Sequence, residues 1–148
     1  MSLHAAFGYA GDLFPVEAFR LLSEERASVL VDVRTMPEWA YVGAPDLSGL
    51  GKDVLFLEWQ TYPSMQRDSS FVDRLAAQLK DAGVQQGASL VFLCRSGARS
   101  RDAATAMTAA GWGPCFNVSD GFEGPLDTEK HRNSIGGWRA GGLPWKQT

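Results

Sequence analysis

The sequence predicts an α/β fold: a mostly parallel sheet of about five strands with helices on both faces. Three observations lead there. Short apolar or β-branched runs recur at 29–33, 54–57, 88–93 and 115–118, with a further short strand expected near 7–9. Segments with helical apolar spacing fall between them, so strands and helices alternate along the chain. The runs at 29–33 and 88–93 are apolar nearly throughout, the pattern of strands covered on both faces.

Taken in order, Pro15 suits the first turn of a helix with Glu17 early in it, and Val16, Phe19 and Leu22 supply an apolar stripe. Residues 24–27 are a polar connection into the strand at 29–33. Asp32 and Arg34 point to one side of that strand, because side chains alternate. Glu38 and Trp39 begin a turn or short helix. Residues 42–52 carry Gly43, Pro45, Gly49 and Gly51 and read as loop, as do 62–68 around Pro63. Ser70 with Asp73 forms a capping-box pattern ahead of a helix whose stripe is Phe71, Val72, Leu75, Ala76 and Leu79, ended by Gly83. Trp39, Trp59 and Tyr62 are read as core aromatics, with the rim of a pocket as the other reading for each. A helix over 100–110 packs through Ala103, Ala106, Met107 and Ala110, and Gly111 caps it. The run 115–118 is expected to be the last strand. Residues 121–142 are glycine-rich with a charged centre and read as a surface segment.

The 148 residues are expected to form a single domain over 1–148, with 45% hydrophobic and 21% charged residues as in ordinary globular chains. A net charge of −3 gives no general attraction to nucleic acid or an anionic membrane. No apolar run approaches membrane-spanning length. The first residues lack the basic start and apolar core of a signal peptide, and the two cysteines do not make a disulfide framework. Both points favour a reducing, cytoplasmic setting. His4 and His131 belong to no cluster at ligand spacing, so neither metal nor cofactor is expected.

The chemistry concentrates at 94–100, Cys-Arg-Ser-Gly-Ala-Arg-Ser, between the strand at 88–93 and the following helix. A thiol is a nucleophile as its thiolate. Arg95 and Arg99 bring fixed positive charge, the helix N-terminus brings unpaired N–H groups, and Gly97 allows the backbone to turn amides inward as an anion nest. In such open sheets a ligand sits outside the carboxyl ends of the strands, where Cys94 lies. Cys115 has no arginine beside it and reads as an inert core thiol rather than a resolving one.

Three stretches together carry a resemblance. The loop Cys94–Ser100, the run Asp32-Val33-Arg34 with Glu38-Trp39, and the ending Gly121-Phe122-Glu123-Gly124, Trp138, Gly142-Leu143-Pro144 are similar, in order and spacing, to motifs of single-domain members of the rhodanese (sulfurtransferase) family. Three departures are visible: Tyr41-Val42-Gly43-Ala44-Pro45 replaces the usual His-Ile-Pro-Gly-Ala-like stretch, Phe122 stands at the second glycine of the family's Gly-Gly, and the stretch Asp127 to Gly137 separates the final motif from its tryptophan.

The resemblance implies a rhodanese-like α/β/α sandwich and sulfur transfer through a persulfide on Cys94. The backbone around Arg95, Ser96, Gly97, Ala98, Arg99 and Ser100 would bind the anionic donor, and Asp32, Arg34 and Glu38 would support the loop from behind. Basic Arg95 favours thiosulfate over mercaptopyruvate. The acceptor is expected to be cyanide or a thiol, with a protein thiol among the options. Two alternatives stay open: a sulfur carrier or redox sensor working with a protein partner, and a cysteine phosphatase or arsenate reductase. The second is disfavoured because four residues, rather than the five of cysteine phosphatases, separate Cys94 from Arg99.

Overall fold

A computed structural model describes residues 8–147. In chain order the elements are β1 (Gly11–Leu13), α1 (Pro15–Glu24), β2 (Val29–Asp32), a π-helical turn at Glu38–Val42, β3 (Ala44–Pro45), a 3-10 turn at Ser48–Leu50, β4 (Leu55–Phe56), β5 (Gln60–Thr61), β6 (Gln66–Arg67), α2 (Phe71–Asp81), β7 (Leu90–Leu93), α3 (Ala98–Ala109), β8 (Cys115–Val118) and β9 (Trp145–Lys146).

Five strands form one parallel sheet in the order β1-β8-β7-β2-β4. The central strand β7 pairs residue for residue with β2, from Val29↔Leu90 to Asp32↔Leu93. All four residues of β7 and of β8 are buried, as strands covered on both faces must be. On one face α2 and α3 pack Phe71, Leu75, Leu79, Ala103, Ala104 and Met107 onto Val31, Leu90 and Phe92. On the other, α1 packs Ala18, Leu21 and Leu22 onto Leu30, Val91, Leu93 and Val118. The predicted α/β layering is thus the observed one.

Several local expectations change. The first strand lies at Gly11–Leu13 rather than 7–9, because its ladder to Phe116–Val118 selects it over the local apolar pattern; Phe7 lies outside the described residues. Val16 is 61% exposed, and α1 docks through Ala18, Leu21 and Leu22 instead. Ser70 makes no side-chain cap on α2; the Asp68 carboxylate takes the Ser70 N–H at 2.9 Å. Residues 62–68 are not loop throughout, since β5 and β6 make a short antiparallel hairpin. The run 115–118 is not the last strand, because β9 pairs antiparallel with β3.

The largest correction concerns 121–142. Phe122 and Trp138 are fully buried and complete the core on the α1 face. Gly121, Gly124 and Gly137 there serve close backbone contact, whereas Gly142 is exposed with open space around it. A Cβ on Gly121, at φ +67°, would stand 2.5 Å from the Arg95 carbonyl.

Candidate active site at the Cys94 loop

Strand β7 delivers Cys94 to the carboxyl edge of the sheet, and α3 starts at Ala98, two residues ahead of the predicted start. Gly97 makes that early start possible. It occupies the left-handed region at φ +113°, and a Cβ there would lie 2.3 Å from the Ser119 carbonyl oxygen. Beyond the turn, the segment after β8 runs beside the loop. The Phe122 N–H donates to the Cys94 carbonyl at 2.8 Å and the Glu123 N–H to the Arg95 carbonyl at 3.0 Å.

Within this frame the Cys94 Sγ receives the Gly97 N–H at 3.1 Å, and the Ser100 Oγ lies 3.1 Å away. Among the described residues, the Gly97 N–H donates to the sulfur and the Ser100 hydroxyl is in hydrogen-bond contact with it. The side chain is only 1% exposed, yet it contributes to the lining of a cavity of about 630 Å³. Arg95, Ser96, Ala98, Arg99, Thr35 and Glu38 line the same cavity. Gly97 and Ser100 sit behind the sulfur.

Arg99 departs from expectation. Its guanidinium holds both Glu38 carboxylate oxygens, at 2.8 and 3.0 Å, so its charge is already matched. Glu38 Oε1 also accepts the Thr35 N–H (3.1 Å) and hydroxyl (2.9 Å). Burial by itself would raise the Glu38 carboxyl; the Arg99 and Thr35 contacts outweigh it and bring it down to about 2. The pair ties the first turn of α3 to the turn after β2. The exposed cation at the loop is Arg95.

Asp32 and Arg34 lie beneath the site, both fully buried. Arg34 Nη2 meets Asp32 Oδ2 at 2.8 Å and the Gly43 carbonyl at 2.9 Å, while its guanidinium face lies 4.2 Å from the Phe122 ring centroid. Phe122, at the position of the missing glycine, thus supplies a lid over the buried cation. Arg34 Nη1 has no hydrogen-bond partner among the described residues, so the bonds made by Nε and Nη2, with the Phe122 ring, hold this buried pair.

Sequence reasoning missed Glu123, Arg132 and Met65 as parts of the cavity wall. Arg132 comes from the charged stretch after Gly121 and is anchored by donating to the Gly124 carbonyl at 2.7 Å. Its wall position follows from the return of the chain to the loop, which no local pattern announces. Of the three aromatics in question, Trp59 is buried and packs edge-on to Phe71, Trp39 packs edge-on to Phe56, and Tyr62 lines the cavity while 65% exposed. Cys115 is buried, and burial pushes its thiol up to about 11. Among the described residues, no group of three His, Cys, Asp or Glu side chains could hold a metal ion, and no helix is long and apolar enough to cross a membrane.

The parallel sheet and cysteine loop define a rhodanese-like protein. The fold recurs in a rhodanese-like domain protein from Staphylococcus aureus, with TM-score 0.50 and 20% identity over 74% of this chain and 85% of that one. More specifically, the family model described as the STR4 middle domain matches residues 14–148, and the chain belongs to that family. It is 48% identical to Rv0390 from M. tuberculosis, whose crystal structure superposes with TM-score 0.82 over 95% of this chain and 99% of that one. It is also 38% identical over 130 residues to the uncharacterized protein RC0915 of Rickettsia conorii, covering 88% of this chain and 92% of the relative. A thylakoid rhodanese-like chloroplast protein of Oryza sativa subsp. indica is 30% identical over 86% of this chain, which spans 23% of that longer protein.

Proposed function

We propose that the protein is a sulfurtransferase that carries sulfane sulfur on Cys94. The observation that carries this reading is that Cys94 lines a cavity beside the first turn of α3, with the Gly97 N–H directed at its sulfur. Those features favour an anion on sulfur. The Cys94 thiolate attacks the outer sulfur of thiosulfate or a related donor. The new Cys94–sulfur bond forms as the donor's sulfur–sulfur bond breaks, and sulfite leaves with the electron pair. Exposed Arg95, with Arg132 across the cavity, offsets charge on the departing dianion. A thiophilic acceptor, cyanide or a thiol, then attacks the outer sulfur of the persulfide and regenerates the thiolate. This is two-step covalent catalysis with ping-pong kinetics.

A second reading is favoured by the cavity's surroundings. Met36, Tyr41 and Tyr62 are 65, 82 and 65% exposed and line an adjoining groove that meets the rim of the Cys94 cavity at Pro37 and Tyr62. Such a groove suits an acceptor thiol borne on a protein, with the chain acting as a sulfur carrier.

Intact mass measured after thiosulfate treatment tests both readings. One added sulfur on the native protein, absent in Cys94→Ala, is expected; an unmodified native protein overturns them. Rapid thiocyanate formation with cyanide supports the enzyme reading. A stable persulfide with little thiocyanate supports the carrier.

A further inference from the structure

A buried polar chain leads away from the sulfur on the side opposite the cavity. Ser100 Oγ lies 3.1 Å from Cys94 Sγ and 2.5 Å from Asn117 Oδ1. Asn117 Nδ2 donates to Asp12 Oδ1 at 3.0 Å, and the Tyr9 hydroxyl donates to the same oxygen at 2.8 Å. The links come from α3, β8 and β1, and Ser100 and Asn117 are 0 and 3% exposed. We propose that Asp12 is a positioning residue for Cys94, acting through Asn117 to set the direction in which the Ser100 hydroxyl points.

The argument is one of donor counting. An ionised carboxylate only accepts, so Asp12 requires the amide nitrogen of Asn117 to face it. The amide oxygen must then face Ser100, and it too only accepts. Ser100 has one proton, which Asn117 claims at 2.5 Å. The hydroxyl then presents a lone pair to Cys94, an arrangement that suits a neutral S–H. A thiolate or persulfide needs the opposite: the Ser100 proton turned toward sulfur. That turn leaves the buried Asn117 oxygen without a donor, which is unfavourable for a polar group shut off from water. The conflict disappears if the Asn117 amide turns over, but its oxygen would then face the Asp12 carboxylate. Asp12 therefore opposes ionisation of Cys94 through the hydrogen-bond chain, and removing its charge lets the chain reverse.

Other charged groups surround both ends. Cys94 faces Arg99, whose charge is shared with Glu38 and felt by Asp32, and Arg95 lies next in the loop. At the far end Asp12 faces Tyr9, whose hydroxyl is pushed up to about 12, first by burial and then by its bond to Asp12, with Arg101 acting the other way. None of these groups changes in the substitutions below.

This inference rests on the reading of Cys94 as the working thiol, but its test does not require turnover. The rate of iodoacetamide alkylation at Cys94, followed by peptide mass against pH, reports ionisation of the sulfur. Asp12→Asn is expected to move the midpoint down by about one pH unit, an increase of about tenfold in rate below it. In Asp12→Asn the new amide can donate to a reversed Asn117, completing the chain toward sulfur. Asp12→Ala, which also frees Asn117 to turn, should shift the midpoint in the same direction. In a Ser100→Ala background, Asp12→Asn should change the rate by less than about twofold, because the chain is cut. A midpoint unmoved by Asp12→Asn, or an equal shift with and without the Ser100 hydroxyl, overturns the proposal; the latter means direct charge action. Circular dichroism checks that each variant is folded. Failure of thiosulfate to load Cys94 would count against the proposed function while leaving this cycle interpretable.

Discussion

Replacing Glu38 with glutamine removes the charge that ties the turn after β2 to the first turn of α3. In the folded protein the carboxyl sits at about 2 against a reference of 4.5. That drop corresponds to about 3–4 kcal/mol, taken at about 1.4 kcal/mol per pH unit. The two side chains are 16 and 18% exposed, so solvent screening brings the expected contribution to about 2–3 kcal/mol. Because the folded value lies below the unfolded one, the stabilisation is fully present above about pH 4.5 and is lost as pH falls toward about 2. Glu38→Gln should therefore unfold at markedly lower urea concentration near neutral pH. The gap to the native protein should close through the acid range. Urea titrations of both proteins from neutrality to about pH 2 make the comparison, since other carboxylates cancel in the difference. A gap that is absent near neutrality, or that persists undiminished in acid, refutes the assignment of the ion pair as the cause.

Two further outcomes follow from the loop and its backing. Gly97→Ala forces a Cβ to within 2.3 Å of the Ser119 carbonyl oxygen at φ +113°. The left-handed backbone and the displaced carbonyl together should cost about 2–4 kcal/mol in urea unfolding and slow Cys94 alkylation as the Gly97 N–H moves off the sulfur. A variant of native stability would mean the turn is less constrained than its contacts indicate. Phe122→Ala empties a fully buried site and exposes the face of Arg34, and should lower stability by about 3–5 kcal/mol in the same assay. Phe122→Leu should recover more than half of that loss, and equal losses in both variants would point to the ring's contact with Arg34 rather than its volume.

The features legible in the sequence were those carried by contiguous residues. The apolar runs at 29–33 and 88–93 contain the adjacent central strands Val29–Asp32 and Leu90–Leu93. The alternation that put Asp32 and Arg34 on one side appears as their buried ion pair. The cysteine at the end of its strand and the glycine after it showed the turn directly. What stayed hidden depends on chain segments meeting at a distance. The pairing of Arg99 with Glu38 joins residues 61 apart. The role of Asn117 behind Ser100, and of Asp12 behind Asn117, follows only from β1 and β8 lying side by side. The 121–142 segment was misread because glycine content signals both exposed turns and close backbone packing. At Gly121, the Arg95 carbonyl decides for packing.

The two N–H groups that Phe122 and Glu123 lend to the cysteine loop have a consequence for how the protein comes into being. During synthesis Cys94 leaves the ribosome well before the residues that brace its own carbonyl, and Trp138, which donates its backbone N–H to Gly121, comes later still. A nascent chain would carry an unbraced thiol until that final stretch arrived. Bracing of the Cys94 loop would therefore come only once residues 121–138 dock.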